Sequence, residues 1–440
     1  MSWALESLWN NFTEQRMNQR IIIENEIRNL GLRFPNGTVR KTYFAEFSLP
    51  AEKISDVRLE GISELGLEFK ETEPGKYTLS GVPAIHGDFN LTLSFNTVEG
   101  EPRSVFSFPV AFNPDPRSIW KDMRSELNRK GIKPDWTTEY VKVPADENGN
   151  PRKDIVAASI QGRSHAHEAR GRDDHFAVEY CPDSEWYILA VADGAGSASR
   201  SWRGSEIACN TVVEHCRELL SGNEDFNKAI AAYHADKENI PLRNEVVRYV
   251  YDIVLKGAHK AHKAIIQEAA DTPDAKPRDY ATTLMFVICR RFSFGWFIAS
   301  FWVGDGAMAV YDENSGDIKL LGKPDEGEFS GQTRFLTMPE IFSDKDIVSK
   351  RMRMTIMPEF TSLFLMSDGV SDPMFETDRN LNDFTKWEEF NSLLKNGFPE
   401  DEIPGVDLSD DNEEAQDQLL NWLKFWSPGN HDDRTLVVLH

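Results

Sequence analysis

Ile188-Leu189-Ala190-Val191-Ala192-Asp193-Gly194-Ala195-Gly196 decides how the rest of the chain is read. The apolar run without a charge describes a buried strand. It ends abruptly in a carboxylate, and glycines follow. A carboxylate at the mouth of a buried strand costs desolvation energy unless something positive meets it. Glycines behind it let the backbone turn sharply and bring its carbonyls close to that partner. The simplest partner is a divalent cation. A lone Asp-Gly would be read as an ordinary turn.

The pattern recurs. Phe301-Trp302-Val303-Gly304-Asp305-Gly306 is a second apolar run ending in an acid between glycines, and Leu363-Phe364-Leu365-Met366-Ser367-Asp368-Gly369 is a third. Asp432-Asp433-Arg434-Thr435 leads into the apolar Leu436–Leu439. Strand ends that each present Asp describe a converging oxygen-ligand site, which hard cations such as magnesium or manganese prefer.

A chain of 440 residues carries a prior of two or three domains. Its net charge of -23 leaves no basic surplus for nucleic-acid phosphates and opposes docking on anionic membranes. No stretch approaches the roughly 20 apolar residues of a membrane span. The opening Met1–Glu6 has no basic n-region, so the expected location is cytoplasmic. Cys181, Cys209, Cys216 and Cys289 show no metal spacing and read as reduced core thiols.

Residues 1–25 read as a helix, with Trp3, Leu5, Leu8, Trp9 and Phe12 at mostly three- to four-residue steps. Residues 30–113 alternate in short runs between Pro-Asn-Gly, Glu-Pro-Gly and Glu-Gly breaks, which predicts a small antiparallel β-sandwich. The stretch from Leu65 through Tyr77–Pro83 to Leu93 resembles bacterial immunoglobulin-like modules, for which a binding or spacer role is expected. The expected domains are 1–115 (helix and sandwich), 116–150 (linker) and 151–440 (second domain), which opens with the strand Ile155–Ile160. Helices are expected at 203–220 and 240–270. The strand Tyr280–Cys289 is expected to pair with Phe294–Val303 through a turn at Arg290–Ser293. The acidic 400–418 segment reads as a loop or helix start. Strands, long helices and more strands predict an α+β layered domain.

The order Asp173-Asp174, Ala192-Asp193-Gly194, Ala281-Thr282-Thr283, Gly304-Asp305-Gly306, Ser367-Asp368-Gly369, Asp432-Asp433-Arg434-Thr435 resembles the metal-dependent serine/threonine protein phosphatases of type 2C. Gly327-Glu328 through Gln332–Thr337 resembles a stretch of the family's bacterial branch. The resemblance covers residues 150–440. It implies an α+β fold of two packed, mostly antiparallel sheets flanked by helices, with two Mn²⁺ or Mg²⁺ ions at one edge. Residue by residue, Asp193 matches the acid that bridges both ions, and the Gly194 carbonyl matches a backbone ligand. Asp368 and Asp432 match the remaining ligands of the first ion. Asp433 matches a neighbour rather than a ligand. Asp174 matches the acid that holds the water between the metals, and Asp305 with Asp368 matches a third, weaker metal position. The implied chemistry is in-line attack on phosphoserine or phosphothreonine by a metal-bridged hydroxide. The implied partner is a phosphorylated protein, the product of a bacterial serine/threonine kinase; the resemblance does not set the oligomeric state.

Two positions depart from the family pattern. The phosphate-gripping Arg five residues before Asp174 is here Ala169, which leaves His165 and Arg170 as candidates, with solvated loop residues as the alternative. Gly306 stands where relatives often have Ser, with little consequence expected beyond local turn geometry. The competing functions are a catalytically silent scaffold that binds phosphoproteins and a structural cation site in an adhesive β-protein. Residues 145–440 alone are expected to hydrolyse p-nitrophenyl phosphate about as well as the full chain.

Overall fold

The computed structural model describes residues 2–97, 102–146, 148–325, 333–343 and 348–440, with side chains from residue 14 onward. The chain forms two compact units, Met1–Trp120 and Lys121–His440.

The first unit opens with helix α1 (Ser2–Asn29). Among its described side chains Ile23 and Ile27, one turn apart, are the buried ones, and they join a core with Phe34, Tyr43, Leu79, Leu91 and Phe112. Trp3, Leu5, Leu8, Trp9 and Phe12 have side chains outside the described residues. Strands β1 (Gly37–Thr38), β2 (Tyr43–Ser48), β3 (Ser55–Glu60), β4 (Leu67–Glu73), β5 (Lys76–Gly81), β6 (Gly87–Asn96) and β7 (Ser104–Asn113) follow. They form a four-stranded sheet, β1-β7-β6-β3, and a three-stranded one, β2-β5-β4. Both sheets supply residues to the shared core, so the alternation in the sequence becomes a two-sheet sandwich.

The second unit does not wait for Ile155 to begin. A short helix α2 (Glu126–Arg129) precedes β8 (Trp136–Val141), which pairs along its length with β9 (Ile155–Ile160). The stretch read as a linker, 116–150, therefore supplies an edge strand to the second unit. Its pattern misleads because an edge strand needs no apolar face: Trp136 and Glu139 are exposed.

Helix α3 (Arg163–Glu168), β10 (His175–Cys181), β11 (Trp186–Ala192) and α4 (Ser201–Leu220) come next. Helices α5 (Glu224–Ala235), α6 (Ile240–Val250) and α7 (Lys256–Asp271) follow, the last two joined by a π-helical turn at Tyr251–Leu255. Then come β12 (Leu284–Phe292), β13 (Gly295–Val303), β14 (Ala307–Asp312), β15 (Asp317–Leu320), β16 (Met352–Met357), β17 (Ser362–Met366) and α8 (Asp368–Phe375). The chain closes with α9 (Phe384–Asn396), β18 (Gly397–Phe398), β19 (Ile403–Pro404), α10 (Ala415–Trp422) and β20 (Arg434–Leu439). The β12–β13 pairing runs to Phe292↔Gly295, so the turn is Ser293-Phe294 rather than Arg290–Ser293.

One sheet has the order β10-β11-β12-β13-β16 and the other β15-β14-β17-β20-β9-β8, with every neighbouring pair antiparallel. β11 shows why its sequence is wholly apolar. Leu189 and Val191 face the other sheet, packing with Leu365 and Val437. Ile188, Ala190 and Ala192 face the helix layer, packing with Val212 of α4 and Ile265 of α7. On the far side, Phe364 and Val438 meet Trp387 and Phe390 of α9 and Trp422 of α10. The unit is thus a helix–sheet–sheet–helix stack, and a central strand buried on both faces has no polar alternation to show.

Candidate metal centre and its acid loop

The acids sit where strands stop. Asp193 follows β11 directly, and its backbone is fixed by the threonine pair before β12. Thr283 Oγ1 accepts from Asp193 N–H at 2.8 Å, while Thr282 Oγ1 (2.9 Å) and Thr283 N–H (2.8 Å) donate to the Asp193 carbonyl. Gly194 makes an isolated bridge to Thr282.

Asp193, Asp305 and Asp368 each offer a carboxylate oxygen, all within 4.8 Å of one another. Asp305 follows β13, and Asp368 opens α8 just after β17. Burial, then the charges of Asp368, Asp174 and Asp432, hold the Asp193 carboxyl well above the usual carboxylate range. Burial, then Asp305, Asp432 and Asp174, do the same for Asp368. Asp432 is also raised, by burial and then by Asp433. Such mutual repulsion is what a divalent cation relieves. The donor set fits one: Asp305 Oδ1 and Asp368 Oδ1 are buried oxygens with no hydrogen-bond partner.

Asp174 is fully buried, and its Oδ2 accepts from Ser367 Oγ at 2.7 Å and Thr435 Oγ1 at 2.6 Å. Burial and then the Asp433 charge push its pKa to about 6. Thr435 Oγ1 also lies 2.6 Å from Ser159 Oγ, so the β20 hydroxyl that holds this carboxylate is itself braced from β9.

Asp433 behaves differently. Its Oδ1 accepts from Gly162 N–H at 2.6 Å and pairs with His165 Nδ1 at 3.0 Å, and its Oδ2 accepts from the Asp173 and Asp174 amides. A carboxylate has about four acceptor positions, and here all are taken. Asp433 is the bracket that folds the loop from Gly162 to Asp174 onto β20. Burial opposes its charge, but His165 and the amides hold its pKa below the ordinary value. Burial likewise disfavours charge on His165, yet Asp433 and then Asp173 lift it to about 9.

His165 and Arg170 sit on this loop in different settings. His165 is 4% exposed and committed to Asp433. The Arg170 side chain is 40% exposed, and its Nη2 donates to the Gly196 carbonyl at 2.7 Å, with Asp173 Oδ2 at 3.3 Å. Arg170 therefore spans from the acid loop to the loop behind Asp193, at the rim of the acids. Ala169, at the family's arginine position, adopts a left-handed conformation (φ 56°) as the cap of α3.

The glycines answer to close backbone approach. A Cβ on Gly369 would stand 1.9 Å from the Asp433 carbonyl oxygen. One on Gly306 would stand 2.5 Å from the Met366 carbonyl and 2.4 Å from Met285 Cε, so Ser would not fit without movement there. Gly306 is more than a turn residue.

Three members of the site went unassigned in the sequence. Asp372, pushed to about 6 by burial and then by Asp305, lies one helical turn after Asp368, and that four-residue spacing is a readable signal. Asp173 is pushed to about 7 by burial and then by Asp433. Arg172 is 1% exposed beneath the same acids, with Nε and Nη1 lacking a hydrogen-bond partner. Lone charged loop residues carry no such signal. Of the Gly327–Thr337 motif, residues 327–332 lie outside the described residues; Thr333 Oγ1 donates to Asp305 Oδ2, and Leu336 N–H donates to the Thr282 carbonyl at 2.8 Å. A cavity of about 810 Å³, lined by Tyr187, Trp296 and Arg152 among others, contains none of these acids.

The sequence model described as protein phosphatase 2C matches residues 161–424, more than half of the chain. No curated protein matches. Solved structures with similarity include PppA, a regulatory component of the T6SS in Pseudomonas aeruginosa, at 14% identity and TM-score 0.37, covering 69% of this chain and 99% of that one. Serine/threonine phosphatase Stp1 from Staphylococcus aureus follows at 14% identity and TM-score 0.36, covering 68% and 96%. A C. elegans sex-determining protein stands at 13% identity and TM-score 0.38, covering 65% and 64%.

Proposed function

The chain belongs to the protein phosphatase 2C family, and from that premise we propose that it hydrolyses phosphoserine and phosphothreonine in proteins with the help of Mn²⁺ or Mg²⁺. The observation that carries the reading is the set of buried carboxylate oxygens without donors, in a cluster whose charges repel one another. Asp193, Asp368, Asp432 and the Gly194 carbonyl would hold two ions, and Asp305 with Asp368 a third. Bound cations supply activation of water and neutralisation of phosphoryl charge.

The chain's own residues do the rest. Asp174, gripped at Oδ2 by two hydroxyls, keeps Oδ1 free to accept a hydrogen bond from a water placed for in-line attack. Arg170 binds the phosphoryl oxygens by exchanging the Gly196 carbonyl and Asp173 for them. His165, charged through Asp433, adds positive charge behind that grip. No residue here needs to form a phosphoenzyme. We read the first unit as an immunoglobulin-like targeting module and the substrate as the product of a bacterial serine/threonine kinase. Among the described residues no helix is long and apolar enough to cross a membrane; a cytoplasmic place of action is part of the proposal. A silent scaffold has no need of so complete a set of acids.

The test is release of inorganic phosphate from a phosphothreonine peptide by the purified chain, with Mn²⁺ and after stripping with EDTA. Release that needs Mn²⁺ supports the proposal. No release at any Mn²⁺ concentration would leave a phosphatase fold without the activity.

A further inference from the structure

Residues 121–135 lie outside the family match and outside the first unit, yet they bind the loop that carries Arg170, Asp173 and Asp174. Met123 N–H donates to the Ala166 carbonyl at 3.1 Å and Glu126 N–H to the Ala169 carbonyl at 3.3 Å. Gln161 N–H, at the start of the loop, donates to the Asp135 carbonyl at 2.7 Å. Lys121 N–H reaches His167 Nδ1 at 3.1 Å. The contacts thus run along both margins of α3.

The segment is itself internally braced. Asp135 Oδ2 accepts from Ser125 N–H at 3.1 Å and Asn128 Nδ2 at 2.8 Å, and Ser125 is fully buried. Lys133, 5% exposed, donates to the Trp202 carbonyl in the first turn of α4 at 3.1 Å. Ser205 of the same helix donates to the Asp173 carbonyl, so strap and loop share one anchor. Leu127 packs where Gly171 has no side chain: a Cβ there would lie 2.4 Å from Leu127 Cδ1. The loop needs holding. Ala169 sits at φ 56°, in the left-handed region that is sterically unfavourable for an L-residue, and its carbonyl is the one that Glu126 binds.

We propose that residues 121–135 are a strap that positions the acid loop, with Leu127 and Asp135 as positioning residues that set where Arg170 and Asp174 stand. The strap contributes no group to the chemistry. It acts by fixing the loop against α4, so that the phosphate grip and the water-holding carboxylate keep their relation to Asp193. The catalytic part of this statement rests on the phosphatase reading; the positioning part does not.

The experiment uses the full chain with Leu127→Ala, Asp135→Ala and the conservative Leu127→Met. Amide hydrogen exchange at Asp173 and Asp174, whose N–H groups donate to Asp433, reports loop position without any activity. Both alanine variants should exchange there at least tenfold faster, while the β11 and β13 amides stay protected. Leu127→Met should exchange like wild type. With p-nitrophenyl phosphate and saturating Mn²⁺, the alanine variants should raise KM severalfold or more, and Leu127→Met should restore it. Unchanged exchange at Asp173 and Asp174 in folded Leu127→Ala would overturn the strap. If Asp135→Ala does not fold, the milder Leu127→Ala decides. A wild-type chain inactive with Mn²⁺ would sink the phosphatase reading, and the exchange data would still decide the strap.

Discussion

Asp433 and Asp193 are both buried acids at strand ends, and their surroundings give them opposite duties. Asp433 spends its acceptor positions on amides and on His165. Asp433→Ala should therefore lower unfolding free energy by about 3–5 kcal/mol, because His165 loses its counter-charge. Urea denaturation checks this, and Asp433→Asn should leave Mn²⁺ affinity little changed. Asp193 is repelled by Asp368, Asp174 and Asp432, so Asp193→Asn should keep or raise the stability of the metal-free chain while turnover falls by several orders of magnitude. A variant with near wild-type Mn²⁺-dependent turnover would refute that role. Arg170→Ala should raise KM for phosphate esters more than it weakens Mn²⁺ binding. The loss should be about 1.5 kcal/mol, the low end for a charged hydrogen bond, because this side chain is 40% exposed. An unchanged KM in Arg170→Ala would shift the grip to His165.

At the scale of elements, the strand preceding the linker's end changes what can be cut away. A chain starting at residue 145 loses β8 and the whole of 121–135, exposing the β9 edge that β8 covers. Residues 145–440 should therefore be poorly soluble or slow with p-nitrophenyl phosphate, against the expectation from sequence, whereas 121–440 should match the full chain. Equal activity from both would contradict this. The reason β8 is not legible in 121–150 is physical: an edge strand with an exposed Trp136 shows neither apolar alternation nor a helix stripe. The opposite holds for β11, β12, β13 and β17, where burial on both faces writes a continuous apolar run. α9 was legible in principle, since Trp387, Phe390 and Leu394 recur at helical spacing. The π-turn at Tyr251–Leu255 has no local sequence mark, and Ile253, Val254 and Leu255 are buried within it as on any helix. Of the site, the acids at strand ends could be read because a charge closing an apolar run is costly. Asp173, Arg172 and the strap could not, because their neighbours in space are far off in sequence.

For the whole molecule, the acids make the metal-free second unit sensitive to pH. Asp174 and Asp372 are raised to about 6, Asp173 to about 7 and His165 to about 9. A group with a raised folded pKa contributes stability that is full below its unfolded pKa and is lost as pH rises through the folded one. These four groups act in the same direction, while His175, His440, Lys133 and Lys153, whose pKa values burial lowers, act in the opposite one. The acids' share is therefore read as a difference: between about pH 5 and pH 7, Tm in EDTA should fall more, or rise less, in the wild-type chain than in Asp173→Asn. Asp433, depressed instead, costs stability only below the ordinary carboxylate range. Parallel Tm profiles in the two chains would contradict the charge assignment. Mn²⁺ should restore stability, and by more at pH 8 than at pH 5.5, since it competes with protons for the same oxygens.

That competition makes the calorimetric titration of Mn²⁺ into the EDTA-stripped chain, repeated in buffers of different ionisation enthalpy, the most direct test of the central claim. The carboxylate cluster as a cation site predicts at least two ions per chain, protons released on binding near pH 6, and loss of the tight sites in Asp193→Asn and Asp368→Asn. No saturable binding, or the same binding in both variants, would contradict it.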